Sequence, residues 1–303
     1  MPTPASPLVS VGIPTYNRPA GLRRALECVT AQTFRDLDII VSDNASPGTA
    51  TEEVVREFMA KDPRIRYFRQ DKNIGGNGNF RFVFEQGRGD FWAWAADDDE
   101  WDPEFVEVCL GNLLDPAHHA VLAFCHVRRK DPATGRLVTE RYSDKVSSTS
   151  RGLLARSFRY IYHSGSNHPY YGLYRRSAIN PWFWEKRLGN DHLALASILL
   201  DGCIHIDERV LFTSAIGGAG FRREAFHRFY DSKVMKVCVN LSSTLTWFHE
   251  FSRFVWVEPR YTLAQRLALQ LFVVVRFLRP RYWRRFAGDM VALLFRWRIW
   301  RFE

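Results

Sequence analysis

The stretch Phe91-Trp92-Ala93-Trp94-Ala95-Ala96-Asp97-Asp98-Asp99-Glu100 is an apolar run that stops abruptly at four acids. Aromatic and small apolar residues suit a buried strand, and consecutive carboxylates cannot remain unpaired in a core. The acids are therefore expected at the strand's carboxyl end, facing water, a cation or both. In open α/β sheets the ligand crevice lies outside that end. Hard oxygen ligands on a short turn suit Mg2+ or Mn2+, which bind through one or two carboxylates and leave positions for phosphate oxygens. The plain alternative is a solvated acidic turn that caps a helix starting near Asp102-Pro103.

Upstream of the acids, strand and helix patterns alternate. Residues 8–14 (LVSVGIP) read as a buried first strand, and residues 18–32 have helical spacing at Leu22, Ala25, Leu26 and Val29 behind Pro19. Residues 37–42 form a second strand, followed by the turn cluster Asp43-Asn44-Ala45-Ser46-Pro47-Gly48. A helix over 51–60, a strand over 65–69, a glycine-rich loop over 73–79 and a helix over 80–86 lead into the acid-tipped strand. This order predicts an α/β fold with a doubly wound, mostly parallel sheet. Beyond it the spacing predicts strands over 120–127, 170–174 and 204–211, helices over 152–162 and 192–200, a polar excursion over 128–150, and long helices from 225 broken at Pro259 and Pro280.

At 303 residues the chain has room for one large domain or a domain with an extension. The net charge of +9 is uneven: from Arg260 onward there are ten arginines against Asp289 and Glu303. A basic, aromatic tail on a nearly neutral domain suits an anionic surface, a membrane or a polyanion. Between Arg284 and Arg301, Phe286, Met290, Leu293, Trp297 and Trp300 fall near one face, which suits a membrane-surface helix or a homodimer interface. The longest apolar segment, 267–278, carries Arg276 and is too short to span a bilayer, which takes about 20 residues. Five scattered cysteines without a CxxC pair argue against a disulfide framework or a zinc site and fit a reducing cytosol. No basic-then-apolar leader follows Met1, so a cytoplasmic chain, peripheral at most on the inner membrane face, is expected.

The strand-to-helix turn Pro14-Thr15-Tyr16-Asn17-Arg18 lacks both GxGxxG and GxxxxGK[ST], which indicates neither a nicotinamide cofactor nor a phosphate loop. Tyr16 at a strand tip suits stacking on a base or plain exposure. Asp43 suits accepting the N3–H of uracil or thymine, or holding an Asx turn. Taken together, Pro14 to Arg18, Gln32-Thr33-Phe34, Val41 to Ser46, Asn73 to Asn79 and Asp97-Asp98-Asp99 resemble family 2 glycosyltransferases. The resemblance covers residues 8–110, thins over 120–225 and stops there. The tri-aspartate with the later Asn190-Asp191 is more similar to the abequosyl- and rhamnosyltransferase branch than to the processive synthases, whose Gln-x-x-Arg-Trp is absent.

That resemblance implies a GT-A fold and a metal-dependent, inverting transfer from a UDP- or dTDP-sugar to a glycan or lipid-linked acceptor, with no nucleic acid partner. It implies a catalytic domain over 1–225, donor half to about 110, and a helical extension over 226–303. Carried over by position, Pro14, Thr15, Tyr16 and Asp43 form the nucleoside pocket. Asp98 is the direct metal ligand, and Asp97 lies nearer the ribose or a metal-bound water. Relatives often carry an acid two positions before Asp98, where this chain has Ala96. Gly75, Gly76 and Gly78 let the backbone approach the donor, and Asn73 and Asn79 donate to diphosphate or sugar hydroxyls. Asp191 is the general base, in a place where an N-cap is the structural alternative. Trp182 and Trp184 suit acceptor stacking or the core, and His168 suits a structural role. His227 suits the metal or diphosphate, and Arg222 or Arg223 the leaving group.

Two other classes compete. A nucleotidyltransferase would need a basic, glycine-rich loop after the first strand, which is absent. A non-enzymatic basic module would have no use for Asp98 and Asp191 as carboxylates.

Overall fold

In the computed structural model the described residues are 8–131, 133–140, 146–165, 167–185, 189–215, 243–280, 282–284 and 286–287. Among them, nine strands form one sheet in the order β3-β2-β1-β4-β8-β6-β9-β5, with β7 beside β6. The strands are β1 Val9–Thr15, β2 Leu37–Asp43, β3 Ile65–Arg69, β4 Phe91–Trp94, β5 Asp99–Trp101, β6 Ala120–Lys130, β7 Leu137–Glu140, β8 Leu173–Arg175 and β9 Cys203–Ala215. The helices are α1 Pro19–Thr30, α2 Ala50–Met59, α3 Gly76–Gln86, α4 Phe105–Leu114, α5 Leu153–His163, α6 Asn190–Ser197, α7 Ser243–Val257 and α8 Leu263–Phe277.

The first four strands of that order are parallel, with Val9 opposite Leu37 and Phe91. Their continuous apolar character reflects burial on both faces: β1 and β2 are buried along their whole length. Helix α1 buries Leu22, Ala25, Leu26 and Val29, the stripe its sequence spacing predicts. Beyond β4 the sheet becomes mixed. Strand β8 runs antiparallel to both β4 and β6, whereas β6 and β9 are parallel.

Several boundaries differ from the sequence expectation for local reasons. Helix α3 begins at Gly76 rather than residue 80, because Gly75, at φ +80°, turns the chain directly into it. A strand expected over 170–174 is split: His168–Tyr171 forms a 3-10 turn with Pro169 near its start, and only Leu173–Arg175 is extended. The polar excursion over 128–150 holds the end of β6 and its hairpin with β7. Strand β9 runs on to Ala215, because β5 and β6 both pair with its second half.

The acids do not all face outward, contrary to the expectation for an exposed turn. Asp99 opens β5, pairs across to Ser214 of β9 and is buried. The helix after the acids starts at Phe105, not at Asp102.

Behind the acids, Trp92 and Trp94 are fully buried. The Trp94 ring stacks on Tyr170 at 5.4 Å and on Phe183 at 5.8 Å, and its indole N–H donates to the Phe80 carbonyl at 3.1 Å. This aromatic block joins α3 and β4 of the first half to the turns of the second.

The helices after Pro259 and before it belong to the packed body. Trp182 donates from Nε1 to Glu258 at 2.6 Å, and both are buried. Arg260 pairs with Asp201 at 3.1 Å. Arg276 is buried on α8, where it donates to the Ile161 carbonyl, to Ser164 Oγ at 2.8 Å and to the Ser164 carbonyl. The expected boundary at 225/226 and the arginine-rich stretch beyond residue 287 lie outside the described residues.

Candidate active site

The carboxyl ends of β1, β2 and β4 present Thr15, Asp43 and the acid motif on one edge of the sheet. Asp97 is buried; its Oδ2 accepts from Thr15 Oγ1 at 3.0 Å and its Oδ1 from Arg18 Nη1 at 2.5 Å. The same Arg18 Nη1 lies 3.4 Å from Asp98 Oδ2, so one guanidinium bridges the two carboxylates. Burial pushes the Asp97 carboxyl above its ordinary value, and Arg18 and Thr15 oppose that push. Asp99 faces the other way. Burial first, and then the Asp98 charge, push it up to about 8 against its hydrogen bond from Ser214.

Two residues outside the acid run, Gly21 and Gln32, hold the motif in place. A Cβ on Gly21 of α1 would lie 2.2 Å from the Asp97 carbonyl oxygen, so only glycine allows this approach. Gln32 donates to the Asp102 carbonyl at 3.0 Å and accepts from the Val106 amide at 3.0 Å, while the Thr33 amide donates to the Pro103 carbonyl at 2.8 Å. The Gln32-Thr33 motif thus clamps the chain just after the acids and caps the first turn of α4.

Asp43 is fully buried. It accepts from the Ser46 amide at 2.9 Å, the Asx turn that its sequence context allows, and from Arg69 at 3.1 Å and the Tyr67 hydroxyl at 3.3 Å. Pro14 lies opposite Ser42 just before the end of β1, and Tyr16 stands exposed at the tip. The Asn73 side-chain carbonyl accepts from Asn44 at 3.0 Å and from the Gly75 amide at 2.8 Å, which latches the glycine loop to the β2 turn. Asn79 corrects the sequence expectation. It is buried and exchanges hydrogen bonds with Ser42, at 2.6 Å from its hydroxyl and 2.9 Å to its carbonyl, so its amide tethers α3 to β2.

Gly189, at φ +69°, turns the chain into α6, and Asp191 sits in that helix's first turn. Its Oδ2 accepts from Asn167 and its Oδ1 from the His192 amide at 2.9 Å. The contact of Asn167 with Asp191 joins residues 24 apart and leaves no local sequence signal. Burial pushes the Tyr171 hydroxyl well above its ordinary value, and Asp99, Tyr170, Asp98 and Asp191 all push it the same way. Tyr171 therefore lies within electrostatic reach of both the acid motif and Asp191.

Trp182 belongs to the core rather than to an open acceptor surface, because it is buried against Glu258 and Phe254. Trp184 packs against Phe84 and Trp94 with Arg81 over its ring at 5.9 Å. His168 is buried and pushed down to about 4, by burial first and then by Arg129, in keeping with a neutral structural histidine. Arg222, Arg223 and His227 lie outside the described residues.

Among the described residues no group of three or more His, Cys, Asp and Glu side chains could hold a metal ion. Asp97 and Asp98 nevertheless converge on one cation, the Arg18 guanidinium. Two carboxylates, completed by diphosphate oxygens and water, are a donor set that fits Mg2+ or Mn2+.

The family description "Glycosyl transferase family 2" matches residues 10–183, more than half of the chain. The chain belongs to glycosyl transferase family 2. Within this family it is 30% identical over 190 residues to the GalNAc(5)-diNAcBac-PP-undecaprenol beta-1,3-glucosyltransferase of Campylobacter jejuni. That match covers 61% of this chain and 57% of the relative, so the family 2 chain spans little more than half of that protein. Among solved structures, S. aureus TarS 1–349 in complex with UDP-GlcNAc has a TM-score of 0.60 at 15% identity, over 94% of this chain and 91% of its own. The mannosyltransferase PcManGT of Pyrobaculum calidifontis, in complex with GDP-Man and Mn2+, has a TM-score of 0.54 at 15% identity, over 95% of this chain and 86% of its own. At such identities the likeness is one of fold, and it bears out the GT-A architecture expected from the sequence.

Proposed function

We propose that this family 2 protein moves a sugar from a nucleotide-diphosphate donor, UDP- or dTDP-sugar favoured, to a hydroxyl of a glycan or lipid-linked acceptor in surface polysaccharide or glycolipid assembly. The observation that carries the reading is the pair Asp97 and Asp98, drawn onto one guanidinium just past the carboxyl end of β4 within the stretch that matches the family. The undecaprenyl diphosphate in the name of the C. jejuni relative supports a lipid-linked acceptor. The donors in the two structural neighbours support the nucleotide-sugar class.

In this reading Pro14, Thr15 and Tyr16 take the nucleoside, and Asp43 accepts the base N3–H in exchange for its Tyr67 contact. Asn73 and the Gly75 amide end of α3 face the diphosphate side. Asp98, with Asp97, would hold Mg2+ or Mn2+, which neutralises charge on the departing diphosphate. Asp191 takes the acceptor hydroxyl's proton as that oxygen bonds the anomeric carbon and the bond to the diphosphate breaks. Asn167 holds the Asp191 carboxylate while it does so. Displacement from the side opposite the leaving group inverts the anomeric centre.

Asp98→Asn should abolish metal-dependent turnover with the fold intact, and undiminished turnover by that variant or by the wild type in EDTA would overturn the metal assignment. Asp191→Asn keeps size and capping ability but cannot take the proton. It should lower turnover by about 10²–10⁴-fold with donor affinity nearly unchanged. A product of retained anomeric configuration would sink the inverting mechanism.

A further inference from the structure

Helix α8 is apolar on two opposite faces. One face carries Leu269, Val273 and the buried Arg276 into the protein, where α8 packs on α5 and α7. Away from them, Leu263, Leu267, Leu271, Val275 and Leu278 stand exposed, by 38–66%. At 3.6 residues per turn these five fall within roughly 120° of arc and along about 22 Å of axis. Ala264 lies in the same arc and is also exposed; the arc includes no charged or hydrogen-bonding side chain. Trp256 of α7 is exposed beside the band, linked to the middle of α8 by its Nε1 hydrogen bond to Gln270 at 3.2 Å. Trp283 extends the band at one end, exposed and packed against Phe277.

An ordinary surface helix is apolar on one face only. A second apolar face, exposed tryptophans beside it and a basic flank are the composition of a helix lying in a bilayer interface. The flank is basic by sequence as well: between Glu258 and Asp289 there is no acid, against Arg260, Arg266, Arg276, Arg279, Arg281, Arg284 and Arg285. A second copy of the chain fits this band less well. In an isologous pair each copy would set this acid-free, arginine-rich flank against the same flank of the other, and like charges repel. Among the described residues no helix is long and apolar enough to cross a membrane, so the band would rest on the surface.

We infer that the Leu263–Leu278 face of α8, with Trp256 and Trp283, seats the protein in the headgroup region of an anionic bilayer. The arginines expected to supply this contact contribute less than expected among the described residues. Arg266, Arg276 and Arg279 instead donate to the chain's own carbonyls. The leucines insert, and the basic flank adds attraction that salt screens.

Flotation of the full chain with vesicles of equal parts phosphatidylglycerol and phosphatidylcholine tests this, beside phosphatidylcholine alone. The wild type should float with the anionic vesicles. Leu267→Glu/Leu271→Glu should lower partition on the order of a hundredfold, with the melting temperature and the molecular mass in solution unchanged. Leu267→Ser/Leu271→Ser should fall between them. A wild type that stays at the bottom, a variant that floats equally well, or equal flotation on the uncharged vesicles would overturn the inference. So would a wild-type dimer that becomes a monomer in the variant, which assigns the face to a second copy. A large fall in the variant's melting temperature would show that the chain itself covers this face and would overturn it equally.

Discussion

Gly21 sets how closely the first helix approaches the acid motif. With the Asp97 carbonyl only 2.2 Å from where a Cβ would sit, Gly21→Ala must push α1 or Asp97 away. Overpacking of this kind costs about 1–3 kcal/mol, so the melting temperature should fall. Turnover measured well below that temperature should fall by more than ~10-fold, because the displaced atoms carry the Asp97 carboxylate. A Gly21→Ala protein with wild-type melting and turnover would show that the contact relaxes freely. Nothing local in the sequence marks Gly21: the stripe of Leu22, Ala25, Leu26 and Val29 describes the helix completely without it. The place of the acids just past β4 was legible because a carboxylate run after an apolar strand has few physical outcomes. Asn167 was not, since its meaning lies in a contact across 24 residues.

At the level of elements, the alternation of strand and helix up to β4 was readable because each parallel strand is a short apolar run with turn residues at its ends. The inserted antiparallel strand β8 was not, because its three residues are held by β4 and β6 and not by any pattern of their own. The same holds for β5, which pairs Asp99 with Ser214, a partner 115 positions later. Trp182 shows why residue type alone leaves both readings open: aromatic character suits a sugar as well as a core, and the buried Glu258 decides for the core. Trp182→Phe keeps most of the packing but removes the N–H donor to that carboxylate, which retains Arg260 at 2.8 Å. The expected cost is about 1–3 kcal/mol, read as a lower denaturation midpoint at unchanged slope. An unchanged midpoint would mean that this bond adds nothing to the docking of α7 and α8.

For the molecule as a whole, the four parallel strands with their helices were largely visible in the sequence and the mixed part of the sheet largely was not. The first is built from consecutive units, the second from segments that meet only after the chain has crossed the sheet. Charge acts within the acid motif: Arg18 pairs with both Asp97 and Asp98. A divalent ion arriving alone has to displace a tethered cation and leave it without a counter-ion, whereas an ion arriving with a nucleoside diphosphate brings an anion that Arg18 can pair with. The two ligands should therefore be thermodynamically coupled, by about 5–150-fold in affinity if the coupling is of ordinary size. Mn2+ titrated into the protein with and without UDP reads this factor directly. In Arg18→Ala the ion should bind more tightly by itself and the coupling should shrink; identical Mn2+ affinities with and without UDP in the wild type would refute it. By reciprocity the nucleotide gains the same factor from the ion, so the protein would discriminate against bare metal and bare nucleotide alike and respond to their joint arrival.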